Sequence, residues 1–258
     1  MPMAGMGSRF IKASYRTPKP FIPIMGLPMY VAVIKSFPLA DKYIFICQEE
    51  FLNKYPFEEE TKKRFANEKI YSVQGITEGQ ACTCLIAEGD LISNEELLIS
   101  SIDYQIVYDE DEFNRMRCDK SVDVIIFTFQ TKSIMKKNPN AFAYCRTDNN
   151  QVVEVVEKRT ISEKPELDPA VVGSFYYKRA IDFVRSAKKM IEKNIRINNE
   201  FYVGTAINQL IEEGLNVKVF PVKKFISFGD PFELEIYQCW EDYFFNEKSH
   251  PYDGWKRN

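Results

Sequence analysis

The chain has 258 residues, 45% hydrophobic and 28% charged, the balance of an ordinary folded protein, which excludes disordered, collagen-like and coiled-coil chains. Basic residues number 34 against 37 acidic, a formal net charge of -3, so there is no broad positive field to hold nucleic acid or an anionic membrane. No apolar run approaches the roughly 18 residues of a membrane span, and no basic region with an apolar core marks a signal peptide at the start, so a cytoplasmic protein is expected.

In chain order, short apolar runs alternate with helical patterns, the signature of an α/β fold. Helix is predicted over 29–36, strand over 43–47, helix over 58–67, strand over 69–72, helix over 79–87 and strand over 97–101. Strands follow at 122–130, 141–146, 152–157 and 171–177, then helices at 181–192 and 204–213, a strand at 217–222 and a final helix at 232–245. Several of the strands are rich in Val, Ile and Phe without alternation, as in strands buried on both faces. Asp148-Asn149-Asn150 between two runs predicts an antiparallel hairpin, and Gly214 a helix C-cap. The expectation is a mixed sheet, parallel at the front with antiparallel insertions later. One domain is expected over 1–230 with a lobe over about 141–203, followed by a helix and tail over 231–258.

Six cysteines (47, 82, 84, 118, 145 and 239) form no C-x-x-C pair, and His250 is the only histidine. A Cys/His zinc site and a disulfide framework are therefore not expected, and catalysis that needs an imidazole base is nearly excluded. Chemistry here must come from carboxylates, Lys, Arg, backbone amides and a hard metal.

Met3-Ala4-Gly5-Met6-Gly7-Ser8-Arg9 is a small-residue loop whose glycines let backbone amides approach an anion, with Arg9 as a forked donor at its exit. Pro18-Lys19-Pro20 holds a lysine in a stiff extended segment. These two motifs, followed by Met25-Gly26-Leu27-Pro28-Met29, resemble the signature of the sugar-phosphate nucleotidyltransferases in order and spacing. That resemblance, extending to about residue 235, implies a Rossmann-like nucleotidyltransferase fold with a mixed, mainly parallel sheet flanked by helices, similar to that of family A glycosyltransferases. It implies transfer of NMP from an NTP to a phosphate monoester with release of pyrophosphate. The acceptor's phosphate attacks the α-phosphorus in line, with no covalent enzyme intermediate.

Carried over residue by residue, the resemblance places Ala4, Gly5, Gly7 and Ser8 on the nucleotide phosphates, Arg9 and Lys19 at the reacting triphosphate, and Gly79 and Gln80 of Thr77-Glu78-Gly79-Gln80-Ala81 at the base. Asp103, at the end of an apolar strand, matches the aspartate that holds Mg²⁺, and an ion that prefers phosphate and water oxygens needs few carboxylates. Glu157 and Lys158, Gly173 and Glu200 match acceptor-side positions. Two departures stand out. Ser227 occupies the place of a second metal-binding aspartate, leaving Asp230 as the candidate substitute. The strand of about five residues that precedes the loop in the family is not expected in a chain that begins Met1-Pro2-Met3, and its true start is expected upstream. The sequence is also similar to a capsule-associated cytidylyltransferase branch acting on phosphoglutamine, which makes a pyrimidine triphosphate, CTP first, the expected donor.

Two rival readings accompany this one. A family A glycosyltransferase would use Asp109 and Asp111 as its D-x-D motif, although four acidic residues in a row, Asp109-Glu110-Asp111-Glu112, fit a solvated helix start better. A catalytically inactive nucleotide-binding homologue would bind NTP and release no pyrophosphate.

Overall fold

The computed structural model describes residues 1–130 and 138–246; His250 lies outside them. The described chain divides into two compact units. The first holds residues 1–5, 40–101 and 107–224, the second residues 6–39, 102–106 and 225 onward.

The first unit is built on two sheets. In one, Pro2–Met3, Tyr43–Gln48 and Glu68–Val73 run parallel. The expectation that no strand precedes the glycine loop is corrected here: Pro2 and Met3 form a two-residue strand opposite Ile46 and Cys47, and the Met1 ammonium donates to the Ile44 carbonyl at 2.7 Å. Two residues show no periodicity, so only pairing with a ready-made neighbour reveals such a strand.

The other sheet has the order Leu97–Ser100, Ala170–Tyr177, Val124–Phe129, Val217–Pro221, Gln151–Glu157, Ala143–Asp148. Of its pairings only Val124–Phe129 with Val217–Pro221 is parallel. The fold is mixed α/β as expected, with parallel pairing in the three-stranded sheet and in this one pair of the six-stranded sheet. Among the described residues of the six-stranded sheet only one antiparallel pair, Ala143–Asp148 with Gln151–Glu157, is joined by the short connection that antiparallel neighbours alone can use. The hairpin Ala143–Asp148/Gln151–Glu157 closes through Asn149 and Asn150 at φ 48° and 65°, the left-handed pair of a type I′ turn.

Val124–Phe129 is buried along its whole length. Val124 and Ile126 point into the main core with helices Ala180–Glu192 and Val203–Glu212. The alternate residue Phe127 joins a ring cluster with Tyr108, Phe113 and Phe220. That is why the strand reads as an unbroken apolar run. Phe113 sits on helix Glu110–Cys118, whose N-cap is Asp109; its carboxylate accepts from the Glu112 amide at 3.0 Å. The acidic run is therefore a helix start, as its composition suggested.

In the second unit, Pro23–Ile24 and Leu27–Pro28 pair across a turn in which Met25 and Gly26 both have positive φ. The chain enters helix Met29–Ile34, buried from Met29 through Val33. Tyr104–Val107 pairs with Lys224–Ser227, and helix Pro231–Asn246 follows. Among the described residues no helix is long and apolar enough to cross a membrane.

Candidate active site

In the second unit the glycine loop runs into helix Ser8–Lys12, with Gly7 as its N-cap at φ 61°. The left-handed backbone, rather than crowding, calls for glycine here, because an added Cβ would make ordinary 3.5 Å contact with Lys19 Cβ. Pro18 is extended, but Lys19 opens a 3₁₀ turn, Lys19–Phe21, so the expected stiff extended segment ends at Pro18. This turn sets the lysine stem beside the Phe10 ring, 5.5 Å from Nζ to the centroid.

Lys19 Nζ donates to Asp103 Oδ2 at 3.0 Å and to the Gly229 carbonyl at 3.4 Å. Burial works to raise the Asp103 carboxyl. The charge and hydrogen bond of Lys19, with the charge of Arg9, outweigh it and hold the group below the usual carboxylate range. Asp103 is thus ionised at neutral pH and carries two cations around it. An added Cβ at Gly229 would stand 3.2 Å from Asp103 Oδ2, so the glycine leaves room for the carboxylate. The structure therefore brings together Arg9, Lys19 and Asp103, which lie up to 94 residues apart in sequence.

Asp230 is placed differently. Its Oδ1 accepts from the Glu233 amide at 3.0 Å and caps helix Pro231–Asn246. Ser227, at the position of the expected aspartate, donates to the Glu233 carboxylate at 2.7 Å. Sequence reasoning missed Glu233, which no motif marks. Among the described residues no three His, Cys, Asp or Glu side chains gather into a metal cluster. One ionised carboxylate fits a magnesium ion that draws its other ligands from phosphate and water, and does not fit a metal held by protein alone.

The first unit holds Ala4 and the loop carrying Gly79 and Gln80. The Ala4 carbonyl accepts from the Gln48 side chain at 2.9 Å. Gln80, at the start of helix Gln80–Leu85, donates to Ser101 Oγ at 3.2 Å, a partner the sequence did not suggest. Gly79 has φ 120°, and an added Cβ would lie 2.5 Å from Phe201 N and 2.6 Å from Phe201 O. Glu200 is exposed and closes a tight turn with Ile197 through Asn198 and Asn199, both left-handed.

Two of the acceptor-side candidates, Glu157 and Lys158, stand at the end of strand Gln151–Glu157. Asn208 clamps that strand, accepting from the Val155 amide at 2.8 Å and donating to the Val155 carbonyl at 2.9 Å. An added Cβ at Gly204, in the first turn of helix Val203–Glu212, would collide with Glu157 Oε1, so the carboxyl lies against the helix backbone. Burial pushes this carboxyl up to about 7, with Lys158 pulling the other way. Lys158 has a left-handed backbone, φ 55°; its Nζ donates to the Ala141 carbonyl at 2.5 Å and lies 5.6 Å from the Tyr202 ring centroid. Strain at a charged residue beside a proton-labile carboxyl is a common mark of a functional position. Gly173, φ 104°, sits where the register of strand Ala170–Tyr177 slips, and its carbonyl accepts from Ser101 at 3.4 Å.

A family model described as nucleotidyl transferase matches residues 3–243. No curated protein matches the sequence. Among solved structures, a nucleoside-diphosphate-sugar pyrophosphorylase from Vibrio cholerae RC9 is similar at TM-score 0.74 and 21% identity, over 92% of this chain and 98% of that one. An inositol-1-phosphate CTP transferase from T. maritima follows at 0.69 and 12%, over 94% of each chain. A UTP-bound UGPase from Acinetobacter baumannii gives 0.66 and 16%, over 95% of this chain and 93% of that one. At such identities the likeness is one of fold.

Proposed function

The chain belongs to the nucleotidyl transferase family, and from that premise we propose that it transfers NMP from a pyrimidine triphosphate, CTP first, to a phosphate monoester in the cytoplasm. The acceptor is a sugar 1-phosphate or phosphoglutamine, and the product feeds capsule or surface polysaccharide synthesis. An oxygen of the acceptor's phosphate attacks the α-phosphorus of the NTP, the bond from that phosphorus to the bridging oxygen breaks, and pyrophosphate leaves with the electron pair. Such transfers demand positioning and charge neutralisation rather than a side-chain nucleophile, and that matches a chain with a single histidine.

The observation that carries the reading is the Lys19–Asp103 pair with Arg9 beside it. Lys19 has three N–H groups and uses two in the structure, on Asp103 and on the Gly229 carbonyl. Turned to a phosphate, Lys19 and Arg9 neutralise the charge that collects on departing pyrophosphate, while the amides of Gly5, Gly7 and Ser8 bind the other phosphate oxygens. Asp103 would hold Mg²⁺, with Asp230 as a second candidate ligand; the ion, when bound, screens the triphosphate's charge. Gly79 and Gln80 face the base. Lys158 attracts the acceptor's phosphate, and Glu157, Gly173 and Glu200 orient the rest of the acceptor. The catalytic domain runs to about residue 230, with its acceptor lobe over about 141–203.

The test is pyrophosphate release with Mg²⁺, offering CTP, UTP, dTTP, ATP and GTP against a set of sugar 1-phosphates and phosphoglutamine. Release that requires one nucleotide and one acceptor together is the expected result. Nucleotide binding with no release under any pairing would overturn it in favour of the inactive homologue, the reading to which Ser227 lends support.

A further inference from the structure

The loop carrying Gly79 and Gln80 and the segment carrying Glu200 are joined as one piece. The Phe201 amide donates to the Glu78 carbonyl at 2.8 Å and the Ala81 amide donates to the Phe201 carbonyl at 3.0 Å. These bonds straddle Gly79, where even a methyl group would strike the Phe201 backbone. Outside them, Arg196 spans the same two segments. Its guanidinium donates to both Glu78 carboxylate oxygens, at 3.0 and 3.3 Å, and lies 4.2 Å from the centroid of the fully buried Phe201 ring. Its Nε donates to Asn194 Oδ1 at 2.6 Å, which fixes the plane of the fork.

We propose that Arg196 is a positioning residue that ties the nucleotide loop to the acceptor segment, so that a nucleotide settling on Gly79 and Gln80 also orders residues 197–203. The proposal rests on the assignment of Gly79 and Gln80 to the nucleotide and of Glu200 to the acceptor. An exposed ion pair adds little to stability by itself. What this one adds is direction: a planar fork with both prongs on one carboxylate and its face on a ring cannot follow Glu78 without carrying Phe201 along. The turn Ile197–Glu200 hangs between the two anchors Arg196 and Phe201, so it inherits their order. By linkage the effect is reciprocal, and an acceptor that orders the segment tightens nucleotide binding by the same factor.

Hydrogen exchange on the full chain tests this with each of the five NTPs and Mg²⁺. In the unsubstituted protein at least one nucleotide is expected to slow exchange over both 77–85 and 197–203. In Arg196→Ala, protection is expected to persist at 77–85 and to fall at 197–203. Should Arg196→Ala lose its cooperative melt, Arg196→Lys, which keeps the charge and lacks the fork, carries the same comparison. Undiminished protection at 197–203 in the single variant overturns the inference while leaving the nucleotide assignment standing. Absence of protection at 77–85 with every nucleotide overturns that assignment and the inference together.

Discussion

Replacing Glu157 by Gln tests whether the proposed acceptor side holds a carboxyl at the expense of stability. Burial raises this group from an ordinary 4.5 to about 7 against the pull of Lys158. Between those two values the folded chain binds a proton that the unfolded chain has released. The stabilising contribution of the side chain is therefore complete below the unfolded value and is lost as pH rises through the folded one. The gap of 7 minus 4.5, or 2.5 units, at about 1.36 kcal/mol per unit, sets a ceiling of about 3 kcal/mol. Glu157 as a residue is half-buried, which brings the expectation to about 2 kcal/mol. Gln has nearly the same shape and no charge to desolvate. The two proteins should thus be equally stable near about pH 4.5, with the variant ahead by about 2 kcal/mol near about pH 8. Urea unfolding at a series of pH values measures this, with equal m-values confirming that both unfold to the same state. Acceptor kcat/KM should fall by about 10-fold or more, the loss of one charged hydrogen bond. A stability difference that does not change with pH, or a wild-type chain more stable at alkaline pH, would refute the reasoning.

Lys19→Ala and Asp103→Ala should each lower pyrophosphate release by about 100-fold or more, the scale of a lost preorganised charge; near-normal turnover in both would dismiss them as site residues. Gly79→Ala forces a side chain into φ 120° against the Phe201 backbone and should cost about 2–4 kcal/mol, strain and overpacking together, by urea unfolding. Asp109→Ala removes the N-cap of helix Glu110–Cys118 and should cost about 1 kcal/mol with turnover retained. A collapse of turnover in that variant would favour the D-x-D glycosyltransferase reading.

The strands were the easiest part of this fold to read because burial on both faces removes polar interruptions. Val124–Phe129 and Ala170–Tyr177 stand within about two residues of where the apolar runs put them. The predicted helices at 29–36, 181–192 and 204–213 likewise appear as Met29–Ile34, Ala180–Glu192 and Val203–Glu212, because each presents apolar residues at helical spacing to a core. Short elements that owe their form to a partner left no such trace. Pro2–Met3 exists by pairing with Ile46 and Cys47, and Tyr104–Val107 by pairing with Lys224–Ser227. Helix Glu49–Lys54 buries only Phe51, too little to set a period.

At the candidate site, legibility depended on whether a residue's task leaves a local signature. A loop of glycines before an arginine and a lysine between prolines are visible because backbone conformation restricts them, so Gly7 and Lys19 could be marked from sequence. Arg196, Ser101 and Asn208 act by reaching across the fold to Glu78, Gln80 and Val155, and nothing adjacent in sequence constrains them. Position 227 is the sharpest case. Motif matching counts a missing carboxylate there, yet the Ser227 hydroxyl holds the carboxylate of Glu233, from the first turn of the following helix. Since Asp230 caps that same helix through the Glu233 amide, the three residues form one polar knot in which cap, hydroxyl and carboxylate support each other. A single substitution at position 227 would therefore disturb Glu233 as well. Aspartate in place of Ser227 would set two carboxylates against each other, a repulsion relieved by a bound cation or by a proton taken up on one of them.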